Sequence, residues 1–237
     1  MQQLSRATIG NWSERMVEPS LTVLVILELI GLFVAVPLTD IGRWPWQADF
    51  LIGLSILFAA VLVVLRNRAA VVTVLVAFIV GVLTPILRQD LPSELTIYLD
   101  FAAKIVFLGA LTWIVGVGVF SPGRITFHRI QGAIAIYLQI AILFTFIYLL
   151  IIQLVPGAFV PAIILHGPTG DIMKGARGGS QLVYFSFVTL TSVGYGDIVP
   201  LHPLARSFAN MEAIIGQLFP ATILARVVTL ELQGRQK

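Results

Sequence analysis

The chain has 237 residues, is 58% hydrophobic and carries only 11% charged residues, against roughly 25% in a soluble domain. That excludes an ordinary water-soluble fold and predicts an integral membrane protein. Without cysteine there is no disulfide framework, thiolate zinc site or cysteine nucleophile, and a net charge of +3 with no basic run predicts no nucleic-acid partner.

A bilayer core takes about 20 apolar residues per helix, and six runs in the chain suit it. Residues 1–20 are fairly polar and read as a cytoplasmic segment without a cleavable signal. Runs follow at 21–38, 50–65 (a short one), 69–87 and 96–120, and together they form a four-helix domain over 21–120. The breaks between them carry turn and charge signals, such as Arg66-Asn67-Arg68 and Arg88-Gln89-Asp90-Leu91-Pro92. Ser121-Pro122-Gly123-Arg124 ends the fourth run. Residues 121–131, an expected interfacial linker, mix Ile125, Phe127 and Ile130 with Arg124 and Arg129, which suits an interfacial helix. The fifth run, from 132 to about 155, and the sixth, from 204 to 230, bound a second unit over 132–230. The tail at 231–237 is too short for a soluble ligand-binding domain.

Lys and Arg favour the cytoplasmic face. With the N-terminus inside, nine basic residues lie on the inner side, five lie on the outer side, and Lys104 falls within the fourth run. Both termini are therefore expected in the cytoplasm. Trp44 and Trp46 in the first outer loop suit an interfacial belt.

The stretch between the fifth and sixth runs has its own plan. Residues 156–179 read as a glycine-rich loop. Residues 180–190 read as a half-helix too short to span, with Ser180 as N-cap. Thr191-Ser192-Val193-Gly194-Tyr195-Gly196-Asp197 then returns to the outer surface, and Pro200 and Pro203 separate it from the sixth run. Non-helical backbone at membrane depth is tolerated only inside protein or beside water.

TSVGYGD resembles the TVGYG selectivity filter of potassium channels. The resemblance covers pore helix, filter and exit, YFSFVTLTSVGYGDIVP, residues 184–200. It implies an all-α membrane fold of six helices with a re-entrant half-helix, in a homotetramer, because one loop supplies one quarter of a ring. It implies K+ as the permeant ion, held by the carbonyls of Ser192, Val193, Gly194 and Tyr195, with Gly196 completing the filter. Glycine suits such a strand, since carbonyls that point one way need φ of alternating sign. Thr191, Tyr184, Phe185 and Asp197 are the implied supports. No cofactor is implied, and the remaining partner is membrane lipid. The location is the plasma membrane, and the economy of the chain suits a bacterial inner membrane.

Departures from the family pattern are visible. Ser192 stands where many members have Thr, and loses a β-branch. Tyr184 and Phe185 stand where many have two tryptophans. Tyr184 retains a donor for Asp197, and Phe185 does not. Val188 stands where some have Glu. In the sixth run Gly216 falls where the family's hinge glycine falls. The same glycine also suits close helix packing. Pro220 should kink the helix one turn later, with Gln217 and Ala221 lining the cavity.

Six helices with the pore last resembles the voltage-gated plan, but the fourth run holds only Asp100 and Lys104. Little voltage dependence is expected. Glu28 in the first run is either functional or paired with Lys104. Glu212 is expected to hydrogen-bond behind the half-helix. His166 and His202 lie on the outer side, where they either sense pH or play no special part. Four rival readings are a non-selective cation channel, a pore-less regulatory subunit, a cation transporter subunit, which resembles four pore units in one chain where this chain has one, and a GxGD intramembrane aspartyl protease read from Gly194-Tyr195-Gly196-Asp197. The protease lacks a well-spaced second Asp, the nearest candidate being Tyr98-Leu99-Asp100.

Overall fold

The computed structural model describes residues 21–40, 76, 79, 93–120, 127–161 and 176–235. The expected spans at 50–65 and 69–87 lie outside these residues, apart from helical Val76 and Ile79, as do Trp44, Trp46 and His166. Among the described residues four helices are long and apolar enough to cross a bilayer: Leu21–Leu38, Leu95–Val119, Arg129–Leu154 and Pro203–Arg226. Each falls on an expected run.

Helix α1 covers residues 21–40. Gly31–Ala35 widens into a π-turn, in which the Val36 N–H reaches the Gly31 carbonyl. Pro37 follows directly. It has no N–H for the Phe33 carbonyl, and its ring would crowd that oxygen, so a wider turn relieves both problems. Helix α2 is Ser93–Val119 and α3 is Phe127–Leu154. Residues 127–131, expected in an interfacial helix of the linker, are helical and continuous with α3. Pro122 and Gly123 already lie behind them, and nothing from 127 onward breaks a helix.

The first core joins these three helices. Leu21, Leu24 and Val25 of α1 meet Leu108, Leu111 and Val115 of α2 and Ala133 and Ile136 of α3. Their spacing by three and four residues puts each set on one helix face. Gly132 marks the closest approach: a Cβ there would stand 2.6 Å from Val119 Cγ2 and 3.3 Å from Leu21 Cδ1. α1 and α3 therefore begin at the end of the bundle where α2 stops.

The second core packs around a shorter helix. Helix α4, Ala176–Leu190, has 15 residues, about 22 Å at helical rise, too short for a core about 30 Å thick. It starts four residues earlier than expected, so Ser180 lies inside it rather than at its N-cap. Strand β1, Phe159–Pro161, pairs antiparallel with β2, Ile198–Pro200, matching Phe159 with Pro200 and Pro161 with Ile198. The stretch expected as continuous loop from 156 to 179 thus contains a strand, tied to the exit of TSVGYGD. Helix α5, Pro203–Arg235, runs 33 residues and continues into the expected tail.

Tyr148 of α3, Phe159 of β1 and Phe185 of α4 form a closed aromatic triangle. Their ring centroids are 5.2–5.3 Å apart and every pair is edge-to-face, the arrangement that aromatic quadrupoles favour. Phe185, expected as a filter support, is buried here and acts at the root of the half-helix. Phe185→Ala should lower stability in mixed-micelle denaturation by about 3–5 kcal/mol. Phe185→Leu, which keeps most of the volume, should cost less than about 1.5 kcal/mol.

Candidate functional site

The segment after α4 is built by its backbone. The N–H groups of Thr191, Ser192, Val193 and Gly194 turn back and bond the carbonyls of Phe187, Thr189, Val188 and Val188, at 3.0, 2.9, 3.0 and 3.3 Å. The Thr191 hydroxyl also donates to the Phe187 carbonyl at 2.6 Å. Every second residue then has positive φ: Ser192 at 56°, Gly194 at 58° and Gly196 at 74°. Among the described residues no donor reaches the carbonyls of residues 192–196. The N–H groups of residues 191–194 are satisfied, and the carbonyls of residues 192–196 are left open.

Ser192 is the single non-glycine at positive φ among the described residues. A left-handed L-residue costs about 1–2 kcal/mol, and a β-branched one is a greater outlier. This gives a physical reason for Ser where the resembling family often has Thr: the hydroxyl stays and the branch goes.

The side chains of the segment are held from one flank. Tyr184 of α4 donates a hydrogen bond to the Asp197 carboxylate, which pushes its phenol up to about 12 and keeps it a neutral donor. Its ring stacks on Tyr195 with centroids 6.4 Å apart and planes within 1°. Asp197 Oδ1 also accepts the Ile198 N–H at 3.1 Å. Val193 and Tyr195 are 53% and 71% exposed, so none of the described residues covers the other side of the loop.

Behind α4 lies a buried polar cluster. Glu212 of α5 is fully buried. Its Oε2 accepts from the Tyr148 hydroxyl of α3 at 2.5 Å, and its Oε1 contacts the Ser186 hydroxyl of α4. Ser186 also donates to the Ala141 carbonyl of α3 at 2.7 Å. Glu212 thus stands behind the half-helix, as expected of it. Its partners Ser186 and Tyr148 were not singled out from sequence, although a lone hydroxyl in an apolar membrane run is the available signal.

Helix α5 presses on the end of α4. A Cβ at Gly216 would lie 1.8 Å from the Leu190 carbonyl oxygen and 2.7 Å from its carbon. The close-packing alternative for Gly216 therefore has a direct contact. The Tyr137 hydroxyl of α3 donates to the same oxygen at 3.3 Å, and its ring stacks on Phe219 of α5, 6.0 Å away. Pro220 lies within α5. It lacks the N–H that would bond the Gly216 carbonyl four residues back, so the two expected hinge residues share one missing hydrogen bond. Gln217 and Ala221 are exposed in the single chain. His202 Nδ1 accepts the Leu204 N–H at 3.3 Å and caps α5.

The expected pair of Glu28 with Lys104 does not form. Lys104 Nζ binds Asp100 Oδ2 one turn away at 2.8 Å and lies 5.4 Å from the centre of the Phe146 ring. Glu28 Oε1 instead accepts from Gln139 Nε2 at 2.7 Å, and Gln139 Oε1 accepts from Thr112 at 3.1 Å. The amide, which can donate and accept at once, links α1 to α2 through α3. Asp100 is thus committed to Lys104 and Asp197 to Tyr184, so the two carboxylates of the protease reading serve separate partners.

Residues 158–232, β1 through most of α5, match the family model described as "Ion channel". The match supports an ion channel and points away from an enzyme. An inward rectifier potassium channel, Kirbac3.1 of Paramagnetospirillum magnetotacticum, is 39% identical over 51 residues, 21% of this chain and 17% of that protein. Protein LctB of Bacillus caldotenax is 29% identical over 123 residues, 52% of this chain and 87% of that one. Protein LctB of Geobacillus stearothermophilus is 28% identical over the same shares. No solved structure gives a significant match.

If Gly216 is there for the approach of α5 to Leu190, Gly216→Ala should lower stability in mixed-micelle denaturation by about 1–3 kcal/mol, the usual range for overpacking. An unchanged midpoint would leave the packing contact without energetic weight.

Proposed function

We propose that four copies of this chain form a potassium-selective channel that conducts passively through residues 192–196. The observation that carries the reading is the row of carbonyls without donors, in a backbone whose φ is positive at every second residue. Such a row replaces the water shell of a dehydrated cation. The ion-channel match over the same residues and the inward rectifier among the relatives support it. Ser192, Val193, Gly194 and Tyr195 supply the ion sites, and Gly196 lets the chain turn out of the pore.

The tetramer follows from the same residues. One loop lines one side of an ion path, and its polar backbone cannot face lipid. The α5 span is only 11% buried within the single chain, against 56% for α3. Three neighbouring subunits would cover the loop and that face, leaving Gln217 and Ala221 toward a central cavity. The C-terminal end of α4 aims its negative dipole there, which favours a cation. We place the bending point of α5 at Pro220, below the fixed contact of Gly216 with Leu190.

The four-helix domain is a support rather than a voltage sensor. One charge crossing the whole field yields about 2.3 kcal/mol per 100 mV, and Lys104 is neutralised by Asp100. The excess of inner basic residues supports both termini in the cytoplasm, and the economy of the chain suits a bacterial inner membrane. K+ is the permeant ion, and no cofactor takes part.

Rubidium uptake into potassium-loaded vesicles tests this. The wild type should take up the tracer, and Gly194→Ala should not. A Cβ there meets no atom within 4 Å but must adopt φ +58°, at a cost of about 1–2 kcal/mol in each subunit. Lys104→Gln should leave the conductance–voltage curve in place. Cross-linking in membranes should stop at four chains. Equal uptake in wild type and Gly194→Ala would reject the pore.

A further inference from the structure

We infer that Glu212 is held as a neutral carboxylic acid, and that it is the positioning residue that fixes the half-helix α4 between α3 and α5. The inference comes from counting hydrogens. Three oxygen–oxygen contacts converge: Tyr148 hydroxyl to Glu212 Oε2 at 2.5 Å, Ser186 hydroxyl to Glu212 Oε1, and Ser186 hydroxyl to the Ala141 carbonyl at 2.7 Å. Contacts this close need one hydrogen each. Tyr148 and Ser186 bring one apiece, and a peptide carbonyl brings none. The third hydrogen has one source, the carboxyl group.

One hydrogen per contact gives the assignment. The Tyr148 hydrogen lies on Oε2. The Ser186 hydrogen points to Ala141, because that carbonyl cannot supply its own. The remaining contact is completed by a hydrogen on Glu212 Oε1, donated to the Ser186 oxygen. An ionised carboxylate would leave the single Ser186 hydrogen to serve two acceptors. The surroundings agree. Glu212 is fully buried in a spanning helix, where an unpaired charge is costly. The titratable groups set against it are the phenols of Tyr148 and Tyr137, both from α3. Among the described residues no Lys, Arg or His forms an ion pair with it.

The cluster bears directly on the pore. Ser186 immediately precedes Phe187, Val188 and Thr189, whose carbonyls hold the N–H groups of residues 191–194. Glu212 touches no ion. It acts through Ser186, fixing the turn from which the loop hangs. The acid form has both a donor and an acceptor, and so it ties α4 and α3 to α5 at once.

The inference rests on the channel reading for its conductance arm alone. Infrared difference spectra of wild type and Glu212→Gln in lipid vesicles at neutral pH decide the protonation state. We expect loss of a protonated carboxylic-acid carbonyl band. Loss of a carboxylate band instead would overturn the inference. In bilayers, Glu212→Gln, whose amide donates to Ser186 and accepts from Tyr148, should hold the potassium-to-sodium permeability ratio to within about twofold, while Ser186→Ala should cut it about tenfold by stranding a buried donor. A Gln variant as unselective as Ser186→Ala would overturn the positioning role. A wild type that passes no potassium would count against the channel reading, and the infrared result would still decide the proton.

Discussion

Hydrocarbon offers no hydrogen bonds, so every peptide group inside a membrane must find its partner in protein, water or a permeant ion. Residues 191–197 are organised by that constraint. The N–H groups of residues 191–194 fold back onto the last carbonyls of α4, and the carbonyls of residues 192–196 are left open. A short half-helix is what makes this geometry possible, because its last turn has free carbonyls to offer. The strand pair of β1 with β2 anchors the exit, and α5 closes against Leu190 through a glycine.

Polar groups elsewhere in the spans are used as fasteners. Ser186, Tyr148 and Glu212 join α4 to α3 and α5, and Glu28, Gln139 and Thr112 join α1 to α3 and α2. Apolar packing alone gives spanning helices little reason to prefer each other over lipid, so buried polar contacts set which faces meet. The charge pair in α2 closes on itself and leaves little for the membrane field to move.

The four spans among the described residues were legible in sequence because a run of apolar residues has few other uses, and the expected run 21–38 lies within the helix of residues 21–40. The half-helix was legible as an element but not at its start, since Gly178 and Gly179 are poor helix residues that nevertheless join α4. The polar partners were harder to see. Glu28 and Gln139 are 111 positions apart, and no local pattern distinguishes Gln139 from Lys104 as the partner of a buried acid. Gly216 was ambiguous for a related reason: a hinge and a close contact call for the same missing side chain. The positive φ at Ser192 lies outside any pattern of residue types, since serine rarely adopts it.

The most direct measurement is the reversal potential of the purified protein in a planar bilayer, with potassium on one side and sodium on the other. A potassium-selective row of carbonyls predicts a reversal close to the potassium equilibrium potential. A reversal near zero would contradict it, and would make the proposed pore of residues 192–196 a path for cations in general.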